Sequence, residues 1–197
     1  MVTNRANSAN LDIHRGEVEL FDILDANGEK TGQVKPRHLV HRDGDWHRAV
    51  MIWVVNPERG ILLQRRAPNK DSHPNCWDIS CGGHLSAGDD SITGAIRELA
   101  EELGLKVKPE DLHFLLASKR MARPAPDFIN NSFDDLYIYF TNLELNQFVM
   151  QKSEISALKY VSLDELKTMV REHNSDLAPH EPLYEKLFQY LDGLQNR

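Results

Sequence analysis

The chain has 197 residues, of which 41% are hydrophobic and 27% charged, and its formal net charge is -7 at pH 7. This length allows one well-buried core and is short for two domains. The acidic balance argues against a general nucleic-acid binder, which would carry a basic surface.

Targeting and membrane segments are not predicted. No stretch approaches 18 consecutive apolar residues, and the first 16 residues lack the apolar core of a signal peptide. Two cysteines, Cys76 and Cys81, give no disulfide framework. We therefore expect a cytoplasmic protein with free thiols and no membrane partner.

The chain is predicted to begin with a flexible, polar tail over residues 1–16, followed by a single domain over 17–197. Alternating or apolar β-rich runs predict strands, and two turns, at Asn27-Gly28 and at residues 56–60, predict hairpins. The predicted strands are 17–24, 30–34, 49–55, 61–64, 77–80, 112–118, 136–141 and 157–161. Two further helices are predicted over 162–171 and 181–191, the first with a capping box from Ser162 to Glu165.

The segment 83–105 is the most informative part of the sequence. On a helix, Glu98, Glu101 and Glu102 fall within about 100° of the circumference and form one acidic stripe, next to an apolar arc. Carboxylates three and four residues apart repel one another, so the fold is expected to supply a counter-charge. Mg²⁺ or Mn²⁺ suits oxygen ligands and is commonly shared with substrate phosphates.

The same segment resembles the Nudix box, Gx5Ex7REUxEExGU. The matching residues are Gly83, Asp89, Arg97, Glu98, Leu99, Glu101, Glu102, Gly104 and Leu105. Asp89 stands where the family has Glu and is one methylene shorter. The resemblance implies an α/β fold, the Nudix-type α/β/α sandwich with a mixed β-sheet.

By the same resemblance, the metal ligands are Glu98, Glu101, Glu102 and the backbone carbonyl of Gly82, with Mg²⁺ or Mn²⁺ as the cofactor. Arg97 would orient the carboxylates, because its guanidinium can make bidentate hydrogen bonds. The implied reaction is water attack on a phosphorus of a small-molecule diphosphate, of nucleoside diphosphate or isoprenyl type. A homodimer is the base-rate expectation for such an enzyme.

A second resemblance, over about 18–166, is to the type I isopentenyl diphosphate isomerases, which are Nudix-fold relatives. It is carried by five segments: His47-Arg48-Ala49, Arg65-Arg66-Ala67, Lys70, Trp77 and Gly83-His84. It implies a metal site at His41, His47 and His84, with Asp135 as an acidic ligand. It also implies that Arg66 and Lys70 grip the diphosphate. Arg65 is a further candidate substrate contact, although alternation along a strand would turn one of the two arginines away from the site.

One departure from the isomerase pattern favours hydrolysis. The catalytic cysteine of that family lies two residues before the histidine that matches His84, and here Gly82 holds the position. Glycine cannot deliver or remove a proton, and Cys81, one residue away, would face the opposite side of a strand.

Three other interpretations stay open at this point. The chain could be an isomerase-like enzyme, or a Nudix module that binds a ligand without catalysis. Two cysteines and two histidines, Cys76, Cys81, His73 and His84, could form a zinc site, although their spacing is unusual for zinc. Glu154 is a candidate ligand or base outside the box.

Overall fold

The computed structural model describes residues 13–14, 17–70 and 72–195, and a sheet of nine strands lies at its centre. The strands are β1 (Ile13–His14), β2 (Glu17–Val18), β3 (Leu20–Leu24), β4 (Lys30–Pro36), β5 (Trp46–Asn56), β6 (Gly60–Arg66), β7 (Trp77–Asp78), β8 (Cys81–His84), β9 (Leu112–Ala125), β10 (Phe128–Phe140) and β11 (Ile155–Val161). The helices are α1 (Arg37–Asp43), α2 (Ser91–Leu103), α3 (Leu163–Arg171) and α4 (Glu181–Gln195).

The central strand β5 organises the sheet. It pairs in parallel with β10 along ten residues and antiparallel with β6, β8 and β3, and the strands β11-β6-β5-β10-β9 follow one another across the sheet. β1 and β2 form a separate two-stranded pair. The predicted mixed sheet is therefore confirmed.

Both faces of β5 are buried, and this explains its apolar sequence. Met51, Trp53 and Val55 face a core cluster that α3 and α4 complete with Leu166, Met169, Leu183 and Leu187. Val50, Ile52 and Val54 face a second cluster that α2 completes with Ala95, Leu99 and Leu103. Helices thus cover both sides of the sheet, which confirms the α/β/α sandwich.

Most predicted elements are present, and their ends are where the structure differs. Ser162 caps α3 as predicted, because its hydroxyl accepts a hydrogen bond from the Glu165 N–H at 3.0 Å. Helix α1 was not predicted, since it has only seven residues and follows Pro36. The strands β9 and β10 form one long hairpin and extend well beyond the predicted runs 112–118 and 136–141. About half of their added residues are polar and interrupt the apolar pattern, so that pattern does not detect them.

The tail predicted over 1–16 lies outside the described residues, apart from Ile13–His14 in β1. Its flexibility therefore stays a prediction. None of the four α-helices in the described part of the chain has the length and apolar content that a membrane span needs.

Candidate active site

A cavity of about 600 Å³ lies between helix α2, strand β8 and the β9–β10 hairpin. Glu98, Glu101 and Glu102 of α2 line it, as does Gly82 of β8. Helix α2 is fixed at both ends: the Asp90 carboxylate accepts a hydrogen bond from the Thr93 N–H at 2.8 Å, and Gly104 ends the helix in the left-handed conformation. The helix therefore presents its acidic stripe to the cavity and its apolar face to the core.

Arg97 connects the residues of the acidic segment. Its guanidinium lies 2.8 Å from Glu98 and 3.4 Å from Glu101, and it donates a hydrogen bond to the His84 carbonyl at 3.0 Å. Asp89 reaches the same guanidinium at 3.5 Å. The shorter aspartate at this position is therefore still long enough to pair with Arg97.

Two of the three carboxylates are nearly excluded from solvent. Glu98 is 8% exposed and Glu102 is 6% exposed. Burial raises the pKa of Glu98 to about 7, against the attraction of Arg97, and burial together with the neighbouring Glu98 charge raises the pKa of Glu102 to about 8. Buried oxygen ligands that repel one another fit a hard divalent cation, which would stabilise their charged forms.

The histidines of the isomerase resemblance also converge. The ligand atoms of His41, His47 and His84 all lie within 4.8 Å of one another. Among the described residues, this is the one group of histidine, cysteine or carboxylate side chains that comes close enough to share a metal ion. The rings surround Phe21, whose centroid is 5.3 Å from that of His47 and 5.0 Å from that of His84. Three elements, α1, β5 and β8, supply one histidine each.

The histidine cluster has the chemistry of a metal site. Burial lowers the pKa of His41 to about 3 and that of His47 to about 4, so both rings are neutral at pH 7. The Nε2 atoms of these two rings are buried and have no hydrogen-bond partner among the described residues. Neutral imidazoles with unpartnered nitrogens fit a transition metal such as Mn²⁺ or Zn²⁺.

The expected acidic partner of this cluster is not where the resemblance puts it. Asp135 is bound by Arg48, with both carboxylate oxygens within 3.0 Å of the guanidinium. The charge of the preceding residue, Asp134, acts on His47 and opposes the lowering of its pKa. Asp134 is fully buried and is paired with Arg120 at 2.6 Å.

The alternative zinc site is not assembled. Cys81 is fully buried in the core cluster under α2, whereas the Cys76 thiol lies 3.9 Å from the Ser175 carbonyl. Burial, and then the Glu102 charge, raise the pKa of the Cys81 thiol well above its usual range. His84, the fourth member of the set, lies with His41 and His47 instead.

The cationic residues divide between the cavity and its outside. Arg66 and Lys70 line the cavity, and Lys70 forms an ion pair with Glu154, which lines it too. Arg65 is not among the lining residues, because its guanidinium lies over the Trp77 ring at 5.8 Å. The strand therefore turns one arginine of the pair into the cavity and the other away from it.

The NUDIX domain model matches residues 45–184, which make up most of the chain and include the acidic segment. The chain belongs to the Nudix family. Nudix hydrolase 3 of Arabidopsis thaliana is 43% identical over 181 residues. This match covers 88% of the chain but only 23% of the plant protein, so the chain spans about a quarter of that relative's length.

This Nudix chain is also similar to enzymes named as isomerases and not as hydrolases. The isopentenyl-diphosphate Delta-isomerase 1 of Mesocricetus auratus is 28% identical and covers 96% of the chain and 92% of its own length. A crystal structure from Deinococcus radiodurans shares the fold, with a TM-score of 0.63 and 21% identity over 85% of this chain and 97% of that one. The chain is thus a Nudix protein that resembles the isomerases, and the residues of its own cavity must indicate the reaction.

Several cavity residues of this Nudix domain were missed by the sequence analysis. They are Glu19, Arg37, Arg120, Asp78 and His180. Arg37 lies 3.2 Å from Glu19 and 3.3 Å from the Nδ1 atom of His84, so it connects the residue between β2 and β3 to the histidine cluster. No local motif marks these residues, because they come from separate elements that meet only in the folded chain.

Proposed function

We propose that this chain is a divalent-metal-dependent pyrophosphohydrolase that cleaves a diphosphate linkage in a small molecule. The observation that carries the proposal is the contrast between Gly82 and Cys81. Gly82 lines the cavity and offers only backbone there, whereas the Cys81 side chain is fully buried in the core. The proton-transfer chemistry of an isomerase thus lacks its cysteine, while the carboxylates that hydrolysis needs are present.

The residues have the following roles in this proposal. Glu98, Glu101, Glu102 and the Gly82 carbonyl would hold Mg²⁺ or Mn²⁺. When bound, such an ion neutralises phosphate oxygens and acidifies water. Arg97 holds Glu98 and Glu101 in register through its hydrogen bonds to both.

Arg66 and Lys70 supply positive charge for the diphosphate in this otherwise acidic protein. Lys70 is paired with Glu154, so a bound phosphate would compete with that carboxylate for the ammonium group. A released Glu154 would then stand beside the cavity, near enough for its charge to act on Glu102. This position suits a group that accepts a proton from the attacking water.

The cavity volume is consistent with a substrate larger than pyrophosphate alone. About 600 Å³ lies within the range of pockets that enclose drug-sized ligands. Nucleoside diphosphate derivatives and isoprenyl diphosphates both fall in that size class, and we propose one of these two classes as the substrate.

The histidine cluster favours a second candidate, an isomerase-like reaction on an isoprenyl diphosphate. His41, His47 and His84 match the positions that hold a metal in that family, and their geometry here suits a metal. We rank this candidate second, because the cavity wall has glycine at the position of the required cysteine.

The test is ³¹P NMR of a panel of nucleotide, dinucleotide and isoprenyl diphosphates with Mg²⁺, for the wild type, Glu102→Gln and Cys81→Ala. We expect new phosphomonoester signals with the wild type, weaker ones with Cys81→Ala, whose thiol lies against Glu102, and none with Glu102→Gln. Unchanged phosphorus spectra for the whole panel would contradict hydrolysis. A shifted double bond in the proton spectrum of isopentenyl diphosphate would then support the isomerase, and binding without any change would indicate a non-catalytic module.

A further inference from the structure

Arg120 of β9 lines the cavity and has no role in the hydrolysis proposed above. Alternate residues of this strand face the cavity, which Arg120, Ala122 and Pro124 line. Met121 and Arg123 are exposed and face away, as the alternation of a strand requires. The Arg120 side chain is 25% exposed, so it can be reached from the cavity that it lines.

The guanidinium of Arg120 is held from one side by Asp134 of the neighbouring strand β10. Its Nε atom lies 2.6 Å from one carboxylate oxygen, and the other carboxylate oxygen accepts a hydrogen bond from the Ser132 hydroxyl at 2.6 Å. Asp134 is fully buried, and this ion pair keeps it from being an unpaired charge in the interior. The contact therefore fixes the arginine through Nε and leaves its two terminal nitrogens unused.

The terminal nitrogens of Arg120 are open to the cavity. The Nε atom is buried, whereas neither Nη atom is buried, and neither donates a hydrogen bond to any of the described residues. Arginine stays charged at any ordinary pH, and each terminal nitrogen carries two N–H donors. Arg120 thus presents a charged fork of donors on the cavity side of its strand.

The other arginine and lysine side chains that line the cavity differ from Arg120 in this respect. Within the described part of the chain, each of them is bound to a carboxylate through a terminal nitrogen. The pairs are Arg37 with Glu19, Arg66 with Asp78, Lys70 with Glu154, and Arg97 with Glu98. A phosphate has to share those nitrogens with a carboxylate, whereas it can bind the terminal nitrogens of Arg120 without breaking a contact.

The charge of Arg120 acts across the cavity. Burial is the largest cause of the lowered pKa of His47, His84 and His73, and the Arg120 charge contributes to all three. His73 lies on the loop after β6, and the charge of Arg66 acts on it too. Arg120 therefore lies within electrostatic reach of the part of the cavity where Arg66 is proposed to hold the diphosphate.

We propose that Arg120 is a substrate-binding residue whose terminal nitrogens donate hydrogen bonds to phosphate oxygens of the diphosphate. This inference rests on the proposed function, because it assumes a diphosphate in the cavity. A guanidinium fork matches two oxygens of a phosphate, and these charge-assisted bonds are stronger than neutral ones. The competing role is purely structural: Arg120 would neutralise Asp134 and contact no ligand.

The first experiment separates these two roles by removing the buried ion pair. Asp134→Asn keeps Arg120, whereas Arg120→Gln/Asp134→Asn removes both charges, so neither variant contains an unpaired Asp134. Isothermal titration calorimetry with Mg²⁺ measures the binding of methylenediphosphonate, a non-hydrolysable P–C–P analogue of a diphosphate. We expect the double variant to bind the analogue about tenfold or more weakly than Asp134→Asn, the equivalent of about 1.4 kcal/mol. Equal dissociation constants of the two variants, or no binding by the wild type, overturn the proposal.

A second variant tests the fork when the ion pair is kept. Arg120→Lys retains the positive charge beside Asp134 but has a single terminal nitrogen. We expect it to bind the analogue at least about threefold more weakly than the wild type, because lysine cannot reproduce a bidentate contact. Arg123→Gln is the matched control on the same strand, at an exposed position that faces away from the cavity, and should bind like the wild type. Wild-type affinity in Arg120→Lys contradicts the proposal.

The two proposals can fail separately. If no diphosphate is hydrolysed but the double variant binds the analogue more weakly than Asp134→Asn, the binding role stands and the proposed reaction is wrong. If hydrolysis occurs and these two variants have the same KM and the same affinity for the analogue, the binding role is wrong and the proposed reaction stands.

Discussion

The Glu98 carboxylate lies directly against the backbone of Gly83. A methyl group on Gly83 would be 2.3 Å from the nearer carboxylate oxygen and 2.6 Å from the other. A side chain at position 83 would therefore force the Glu98 carboxylate to move, and the first glycine of the box leaves space for the fifteenth residue after it. The glycine and the glutamate of the motif thus form one structural unit.

Replacing Gly83 by alanine is therefore expected to displace Glu98 and to lower the hydrolysis rate by about 100-fold or more, a loss of the order seen when one positioned catalytic group is removed. Gly193 on α4 provides the matched control, because an added methyl group there has no neighbour within 4 Å. Gly193→Ala should keep full activity and gain up to about 1 kcal/mol of helix stability. Equal activities of the two variants would mean that Glu98 is not held by this contact.

Adjacent arginines on β6 offer a second matched comparison. Arg66 lines the cavity and is bound by Asp78, whereas Arg65 lies over Trp77 outside it. We expect Arg66→Gln to raise the KM for a diphosphate about tenfold or more, since a charge-assisted bond to phosphate is lost, and Arg65→Gln to change it less than twofold. Steady-state kinetics of the two variants would measure this, and a larger effect at Arg65 would contradict the assignment of the cavity face.

The sequence predicted the parts of this molecule that depend on local patterns. The apolar runs of β5 and β6 and the cap of α3 were each confirmed, because burial on a face and end-capping leave a periodic or positional signature. The acidic stripe of α2 has such a signature too, since residues 98, 101 and 102 share a helix face.

What the sequence did not reveal comes from contacts between distant segments. His180 and Asp78 are about a hundred residues apart, and neither belongs to a motif. Asp134 and Asp135 differ only in which face of β10 they occupy, and the strand was predicted to start after both of them. Register on a strand decides which carboxylate reaches the histidine cluster, and one residue of uncertainty exchanges the two.

The buried charge of Glu102 is expected to bind the metal, and to lower the stability of the fold when no metal is present. Its pKa is raised to about 8 in the folded protein, from an ordinary value of 4.5, so the folded chain retains a proton that the unfolded chain releases. Stability in EDTA should therefore fall as pH rises from about 5 to 8. We expect Glu102→Gln to show a smaller fall, because Glu98 with its raised pKa still contributes one, and to exceed the wild type at pH 8 by at least about 1 kcal/mol, since one pKa unit corresponds to about 1.4 kcal/mol. Urea unfolding at pH 5 and pH 8 measures the difference, and Glu101→Gln, at an exposed position of the same helix, should keep the wild-type trend.

Asp78 gives a pH dependence of the opposite sign. Its folded pKa lies well below the ordinary value of 3.8, because His180 and Arg66 stabilise the charged form against the cost of burial. The stabilisation is therefore fully present above about pH 4 and is lost as pH falls below that value.

Asp78→Asn removes one partner of a buried charged group and should cost about 3 kcal/mol at pH 7, with the deficit shrinking as pH falls towards 3. Asp127→Asn, at an exposed carboxylate in the β9–β10 turn, should cost less than about 0.5 kcal/mol at either pH. Denaturant unfolding of the three proteins at pH 7 and pH 3 tests this, and a deficit for Asp78→Asn that does not change with pH would mean that Asp78 stabilises the fold by packing and not by its charge.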